Sequence, residues 1–313
     1  MRFVVDSAHH GLRIDTFLSS RLRNYVPARI QRMAAGGLIS VNDAPCPPDR
    51  RMARGEEVLV RLAEPPEPFY PPEPILLEVL YDDPWLVAVN KPAGLLVHPA
   101  GPIEGGTLAN AAQALLDGQT VLPGLLRPGI VHRLDRETSG VMLIAKDSAS
   151  HAGLTGEFER SAVEKSYVAL VAGRIEEDET TIRHPIGQRP GSLLMSSETE
   201  ALGPRPAETI IRVLRRFRTT TLVEARPRSG RKHQIRVHLA AIGHPVLGDV
   251  YYSTASGRRE PVGHSASLPS DTRRHALHAA AIAFHHPITN AARRIVAPVP
   301  SDFWSALGDG CGK

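Results

Sequence analysis

Lysine is scarce in this 313-residue chain: five of its 37 basic residues are lysine (Lys91, Lys146, Lys165, Lys232, Lys313) and the rest are arginine. Cysteine is scarcer still, with Cys46 and Cys311 towards opposite ends. Two cysteines so placed exclude a disulfide framework and offer no metal-ligand spacing. No apolar run approaches the roughly 18 residues that a membrane span needs. The start, Met1-Arg2-Phe3-Val4-Val5-Asp6, lacks the apolar stretch of a secretory signal, so a cytoplasmic protein is expected. There is no G-x-x-x-x-G-K-[ST] loop, no G-x-G-x-x-G after a strand and no G-x-S-x-G elbow. ATP- or NAD-driven chemistry therefore lacks its usual parts. Fourteen histidines raise the question of a metal, yet H-E-x-x-H is absent. His233 and His238, five apart, match one ligand face poorly, and no metal is expected.

What is present is basic, with a net charge of +4. Arginine's planar fork suits phosphate and base recognition, although codon bias would give the same ratio. Clustering says more. Residues 1–62 hold ten arginines, no lysine and six acidic residues. Ile14, Phe17, Leu18 and Leu22 recur at helical spacing, and Pro27, Val26, Ile30 and Met33 announce a second helix stopped at Gly36-Gly37. Leu38–Val41 reads as a strand ending in the turn Asn42-Asp43, with Val58-Leu59-Val60 as its partner. Residues 63–74 then carry six prolines in twelve positions, which neither a helix nor a central strand accepts. The expected plan is a module over 1–62, a stiff linker over 63–74, a larger domain over 75–303 and a tail over 304–313. In the larger domain, strand-like runs at 85–90, 140–145, 167–171 and 219–225 alternate with helical stretches. The fold class is α+β: a large mixed, mostly antiparallel sheet with flanking helices, plus the small N-terminal α/β module.

Two polar clusters could carry chemistry. In His132-Arg133-Leu134-Asp135-Arg136-Glu137-Thr138-Ser139-Gly140, Asp135 falls on a loop between two strands, a common catalytic placement. Arg133 and Arg136 flank it and would keep its carboxylate ionised in a desolvated cleft. The same spacing suits a salt-bridged turn in which Asp135 only caps backbone amides, and the residues alone leave both open. In Gly230-Arg231-Lys232-His233-Gln234-Ile235-Arg236-Val237-His238, a glycine turn leads into a helix with the stripe Ile235, Leu239, Ile242. His233 and Arg236 project from another face, and the basic start could grip phosphate or simply be solvated.

These two segments resemble, in full, the H-R-L-D-x-x-T-S-G and G-R-x-H-Q-[IL]-R-x-H signatures of the RluA-type pseudouridine synthases, which modify large-subunit ribosomal RNA and some tRNAs. Asn90-Lys91-Pro92-Ala93-Gly94, Lys165-Ser166-Tyr167-Val168-Ala169 and Leu277-His278-Ala279 resemble three further family segments, all in order across residues 75–290. Departures are small: Ser229 stands where threonine is common, and Ser253 where glycine often follows Gly248-Asp249-x-x-Tyr252. Residues 1–62 resemble the RNA-binding module named after ribosomal protein S4, through Arg13-Ile14-Asp15, Arg29-Ile30-Gln31 and the run 37–42.

The resemblance implies isomerisation of uridine to pseudouridine, with the N1–C1′ bond broken, the uracil turned and C5 joined to C1′. It implies that Asp135 is the catalytic aspartate, that Tyr167 stacks on the base and assists loss of the C5 proton, and that Arg236 pairs with Asp135. Arg133 would help keep the target nucleotide flipped out. Arg136, Arg231, Lys232, His233, Arg13, Arg29 and Arg32 would contact RNA. No cofactor is implied. The partner is RNA, expected to be large-subunit rRNA, and the chain is expected to act as a monomer away from membranes. The rivals are a tRNA enzyme, a non-catalytic assembly factor that would have lost Asp135, Tyr167 or Arg236, and a glycosidase using Glu137 as second carboxylate.

Overall fold

The computed structural model describes residues 1–22, 25, 27–35, 37–61, 70–100, 103, 105–119, 128–252 and 274–307, without the side chains of 28, 29 and 32. At the N-terminus, strands β1 (Arg2–Val4), β2 (Ile39–Val41), β3 (Ala44–Pro45) and β4 (Glu57–Val60) form a sheet in the order β1-β4-β2-β3. Asn42 and Asp43 both take positive φ, 50° and 63°, the backbone a two-residue hairpin turn requires. They join β2 to β3, while β4 pairs on the other side of β2 with Ile39 opposite Val60. Helices α1 (Ile14–Ser19) and α2 (Pro27–Ala35) bring Ile14, Phe17, Leu18, Ile30 and Met33 onto this sheet, joined by Leu22 from the connection between them. Among the described residues, the core so formed draws on residues 3–60. Val26 and Gly36 of the second-helix signal lie outside the described residues.

Of the proline-rich stretch, residues 62–69 lie outside the described residues. Pro71 and Glu73 are fastened to helix α3 (Leu108–Asp117) and the turn before it. Asn110 Nδ2 donates to the Pro71 carbonyl, and the Gly106 N–H donates to the Glu73 carboxylate.

The large sheet follows. Its strands are β5 (Glu78–Asp82), β6 (Leu86–Lys91), β7 (Gly129–Ile130), β8 (Ser139–Ala145), β9 (Glu164–Ala172), β10 (Glu179–Ile182), β14 (Thr209–Arg216), β15 (Thr220–Pro227), β16 (Leu277–His285) and β17 (Ala292–Val296). Between β10 and β14 a separate three-stranded arm is inserted, made of β11 (Ile186–Gln188), β12 (Met195–Ser196) and β13 (Leu202–Arg205). The main order is β10-β14-β15-β9-β16-β8-β6-β5, with β7 added to β8 and β17 to β16. Neighbours are antiparallel except β16 and β8, which meet in parallel through His278–Ser139 and Ala279–Gly140.

Period-two alternation explains how this sheet is covered. Val87, Val89, Met142 and Ile144 face a cluster with α3, whereas Leu86, Ala88, Val141 and Leu143 face Leu154 on helix α4 (Ser148–Glu159). With apolar layers on both faces, β8 is buried along its whole length, which is why 140–145 reads as an unbroken apolar run. Asp147 caps α4 by accepting from the Ser150 N–H. The other half of the sheet packs Ile235 and Leu239 of helix α5 (Gln234–Ala241) against Leu170, Val223 and Ala225, with Phe303 of α6 (Ser301–Trp304). No helix among the described residues is long and apolar enough to cross a membrane.

Candidate active site

Residues 131–138 loop out between β7 and β8 and expose Asp135 to a cavity of about 730 Å³. The cavity is walled by Tyr167 from β9, by the segment 229–236 at the start of α5, and by Phe158, Lys165 and Leu277. The loop is held at both ends and in the middle. His132 stacks on Phe158 with centroids 4.7 Å apart and accepts from the Leu143 N–H at 2.9 Å. Thr138 and Ser139 hydroxyls bond His275 and His278, each at 2.8 Å, where β16 arrives. Lys91, fully buried at the end of β6, donates to the carbonyls of Pro92, Leu95 and Arg136 at 2.8–3.0 Å. Burial pushes this lysine down to about 7, opposed by the charges of Glu137 and Asp135. Gly140 takes φ 122°, and a Cβ there would stand 2.2 Å from the Ala279 carbonyl oxygen. Only glycine permits the parallel contact at that point.

Asp135 Oδ2 accepts from Arg236 Nη1 at 2.9 Å. The same guanidinium grips Asp249 in a fork, Nε to Oδ2 at 2.6 Å and Nη2 to Oδ1 at 2.8 Å. Asp249 Oδ1 also accepts from the N–H groups of Tyr251 and Tyr252. Arg236 is thus immobilised by one buried carboxylate and presented to another, a bidentate use that lysine could not reproduce. Burial raises the Asp135 carboxyl, but the positive charges of His233 and Arg236 and the Arg236 hydrogen bond outweigh it, leaving it below the ordinary carboxylate value. His233 itself is pushed by burial down to about 4. It is neutral near pH 7, so the lasting positive charge at Asp135 is that of Arg236. Burial and the Asp135 charge push the Tyr167 phenol well above its usual value.

Arg133 and Arg136, the neighbours expected to keep Asp135 ionised, make no hydrogen bond to it among those the structure gives. Arg236, from a segment 101 residues away, does so instead. Arg136 turns outward, its Nε donating to the Gly94 carbonyl, and Arg133 is exposed on the cavity rim. Arg231 and Lys232 also line the cavity while donating to the carbonyls of Pro206 and Leu193 at the arm. His233 faces Asp135, its Nε2 3.8 Å from Oδ1. Arg13 is engaged with buried Asp15, and Arg29 and Arg32 lie on α2 with side chains outside the described set. Asp249, Lys91, Lys165 and Tyr252 were not singled out as site residues. The Gly248-Asp249-x-x-Tyr252 pattern was the one available signal for two of them.

Comparison with known proteins follows the same outline. Residues 85–241 match a family model described as RNA pseudouridylate synthase. The chain is 36% identical over 290 residues to the uncharacterized RNA pseudouridine synthase YlyB of Bacillus subtilis, covering 93% of this chain and 91% of that one. It is 35% identical over 300 residues to ribosomal large subunit pseudouridine synthase D of Neisseria meningitidis serogroup B, covering 95% and 78%. Among solved structures, human RNA pseudouridylate synthase domain containing 4 superposes with a TM-score of 0.59 at 26% identity, over 74% of this chain and 91% of that one.

Proposed function

Since the chain belongs to the RNA pseudouridylate synthase family, we propose that it isomerises uridines of large-subunit ribosomal RNA, with Asp135 as the catalytic carboxylate. One observation carries the assignment of Asp135: it is fixed through Oδ2 by Arg236, whose charge favours the ionised carboxylate, and it opens through its other side onto a cavity of nucleotide size. Attack on C1′ and removal of a ribose proton both require this charged, oriented state. Arg236 positions the carboxylate and keeps it charged, and Asp249 positions Arg236. Tyr167, whose phenol stays protonated, serves as the apolar wall on which the uracil stacks while it turns. Exposed Arg133 contacts the backbone beside the flipped nucleotide.

Large-subunit rRNA as the substrate is supported by relatives that carry that substrate in their names over 93–95% of this chain. It is also supported by the arginine-rich residues 1–62, which we assign to binding structured RNA in the manner of an S4-like module. Transcriptome-wide pseudouridine mapping in cells with and without the gene tests the substrate, and sites lost only from tRNA would overturn it. Asp135→Asn is expected to abolish isomerisation while leaving RNA affinity within about threefold. Wild-type rates from that variant would overturn the catalytic role. In the wild-type enzyme activity should hold from neutral pH down to the ordinary carboxylate range and fall only below it, because Asp135 sits beneath that range.

A further inference from the structure

His233 is held in an unusual way. It is the residue before α5, and its backbone is left-handed, φ 56° and ψ 18°, a conformation few non-glycine residues adopt. Its Nδ1 lies 2.8 Å from the phenol oxygen of Tyr252, a residue 2% exposed. That oxygen accepts from the Met195 N–H at 3.0 Å. With its acceptor side so engaged, the phenol donates its own proton to Nδ1. The neutral imidazole therefore carries its hydrogen on Nε2. That hydrogen lies on the Asp135 side, Nε2 being 3.8 Å from Oδ1.

This separation exceeds direct hydrogen-bond reach. Any group that touches both atoms must accept from the imidazole and donate to the carboxylate, because Nε2–H only donates and an ionised carboxylate only accepts. A hydroxyl does both, and one oxygen about 2.8 Å from each atom fits the gap. The carbonyls of uracil accept only. A nucleotide inside an RNA chain has one free sugar hydroxyl, at 2′, its 3′ and 5′ oxygens being esterified. We propose that His233 is a specificity-determining residue whose Nε2–H holds the 2′ oxygen of the target ribose while that hydroxyl donates to Asp135 Oδ1. The site so built reads ribose against deoxyribose at the hydroxyl of the carbon next to C1′. The proposal rests on the pseudouridine synthase reading of the cavity.

The test is a two-by-two comparison under single-turnover conditions. Wild-type and His233→Asn enzymes each act on a stem-loop RNA whose converted uridine carries either ribose or 2′-deoxyribose. Asparagine tolerates the left-handed backbone, but its amide is too short to reach the 2′ oxygen. The substitution is expected to slow the ribose substrate roughly tenfold and to leave the deoxyribose substrate within about twofold. Kd is read alongside the rate, so a deoxyribose substrate that is bound without turnover is scored by affinity. Equal losses on both substrates overturn the proposal. Tyr252→Phe keeps the ring packing and removes the proton donor to Nδ1. A smaller loss confined to ribose is expected of it, and it decides alone if His233→Asn does not fold. A wild-type enzyme that converts no ribose uridine overturns the parent reading and this one with it.

Discussion

A single arginine between two carboxylates sets the energetics of the site at the residue scale. Arg236, Asp135 and Asp249 are each largely withdrawn from solvent, with side-chain exposures of 4%, 20% and 0%. Removing the innermost charge leaves a cation only half satisfied. Asp249→Asn should destabilise the protein by about 3 kcal/mol, the usual cost of breaking a buried pair. It should also lower kcat roughly a hundredfold with KM little changed, because Arg236 then no longer fixes the Asp135 oxygen that orients the reaction. Single-turnover rates beside thermal unfolding measure both, and a raised KM with normal kcat would refute the positioning role. Asp135 and Arg236 were singled out through the family signatures in which they sit, while the residues alone left the role of Asp135 open. Asp249 was visible only within the Gly248-Asp249-x-x-Tyr252 pattern, which gives no sign that its partner lies one helix earlier. The flanking arginines misled for the opposite reason, because adjacency along a loop does not set side-chain direction.

The element that matters most is the loop 131–138, and it is clamped by strands distant in sequence. Just beyond its far end is Gly140, where β8 touches β16 so closely that Ala279 backbone atoms occupy the Cβ position. Gly140→Ala should cost roughly 2–4 kcal/mol, combining overpacking with an unfavourable φ. Gly94→Ala is the control: φ is also positive, 84°, but nothing lies within 4 Å of its Cβ, so about 1 kcal/mol is expected. Equal shifts in chemical denaturation midpoint would show that close approach is not the reason for Gly140. The strands were legible as apolar runs and the capped helix α4 from Asp147-Ser148. The parallel pairing of residues 139 and 278 was not, because local patterns carry no information about pairing across so much chain.

For the whole molecule, the four-stranded sheet within residues 2–60 has its own apolar core, and we propose that residues 1–62 form a separable module. Charge counting overstated its reach: Arg2, Arg13, Arg21 and Arg50 are paired with Glu57, Asp15, Asp6 and Glu56. Each of these four must exchange its carboxylate for a phosphate, so fewer than ten arginines contribute in full. Deleting residues 1–62 should therefore reduce the slope of log affinity against log salt by roughly three to five, near one unit per lost contact. The remaining chain should unfold cooperatively at a little-changed temperature. An unaltered salt slope would remove the module from RNA binding, and loss of cooperative unfolding would refute the boundary. The sequence showed where the helices and strands of this module lie but not which arginines were already neutralised, since ion pairs form across folded surfaces.

The parallel contact between β8 and β16 also dictates when the enzyme becomes an enzyme. Its two sides are separated by 139 residues, Ser139 bonding His278, so a chain emerging from the ribosome completes the Asp135 loop long before the strand that locks it exists. Thr138, Ser139 and the carbonyl of Glu137 wait for His275, His278 and Arg274. Nascent chains that end before residue 274 should be catalytically silent however well their earlier strands have paired, and maturation of the site should be among the last events in folding.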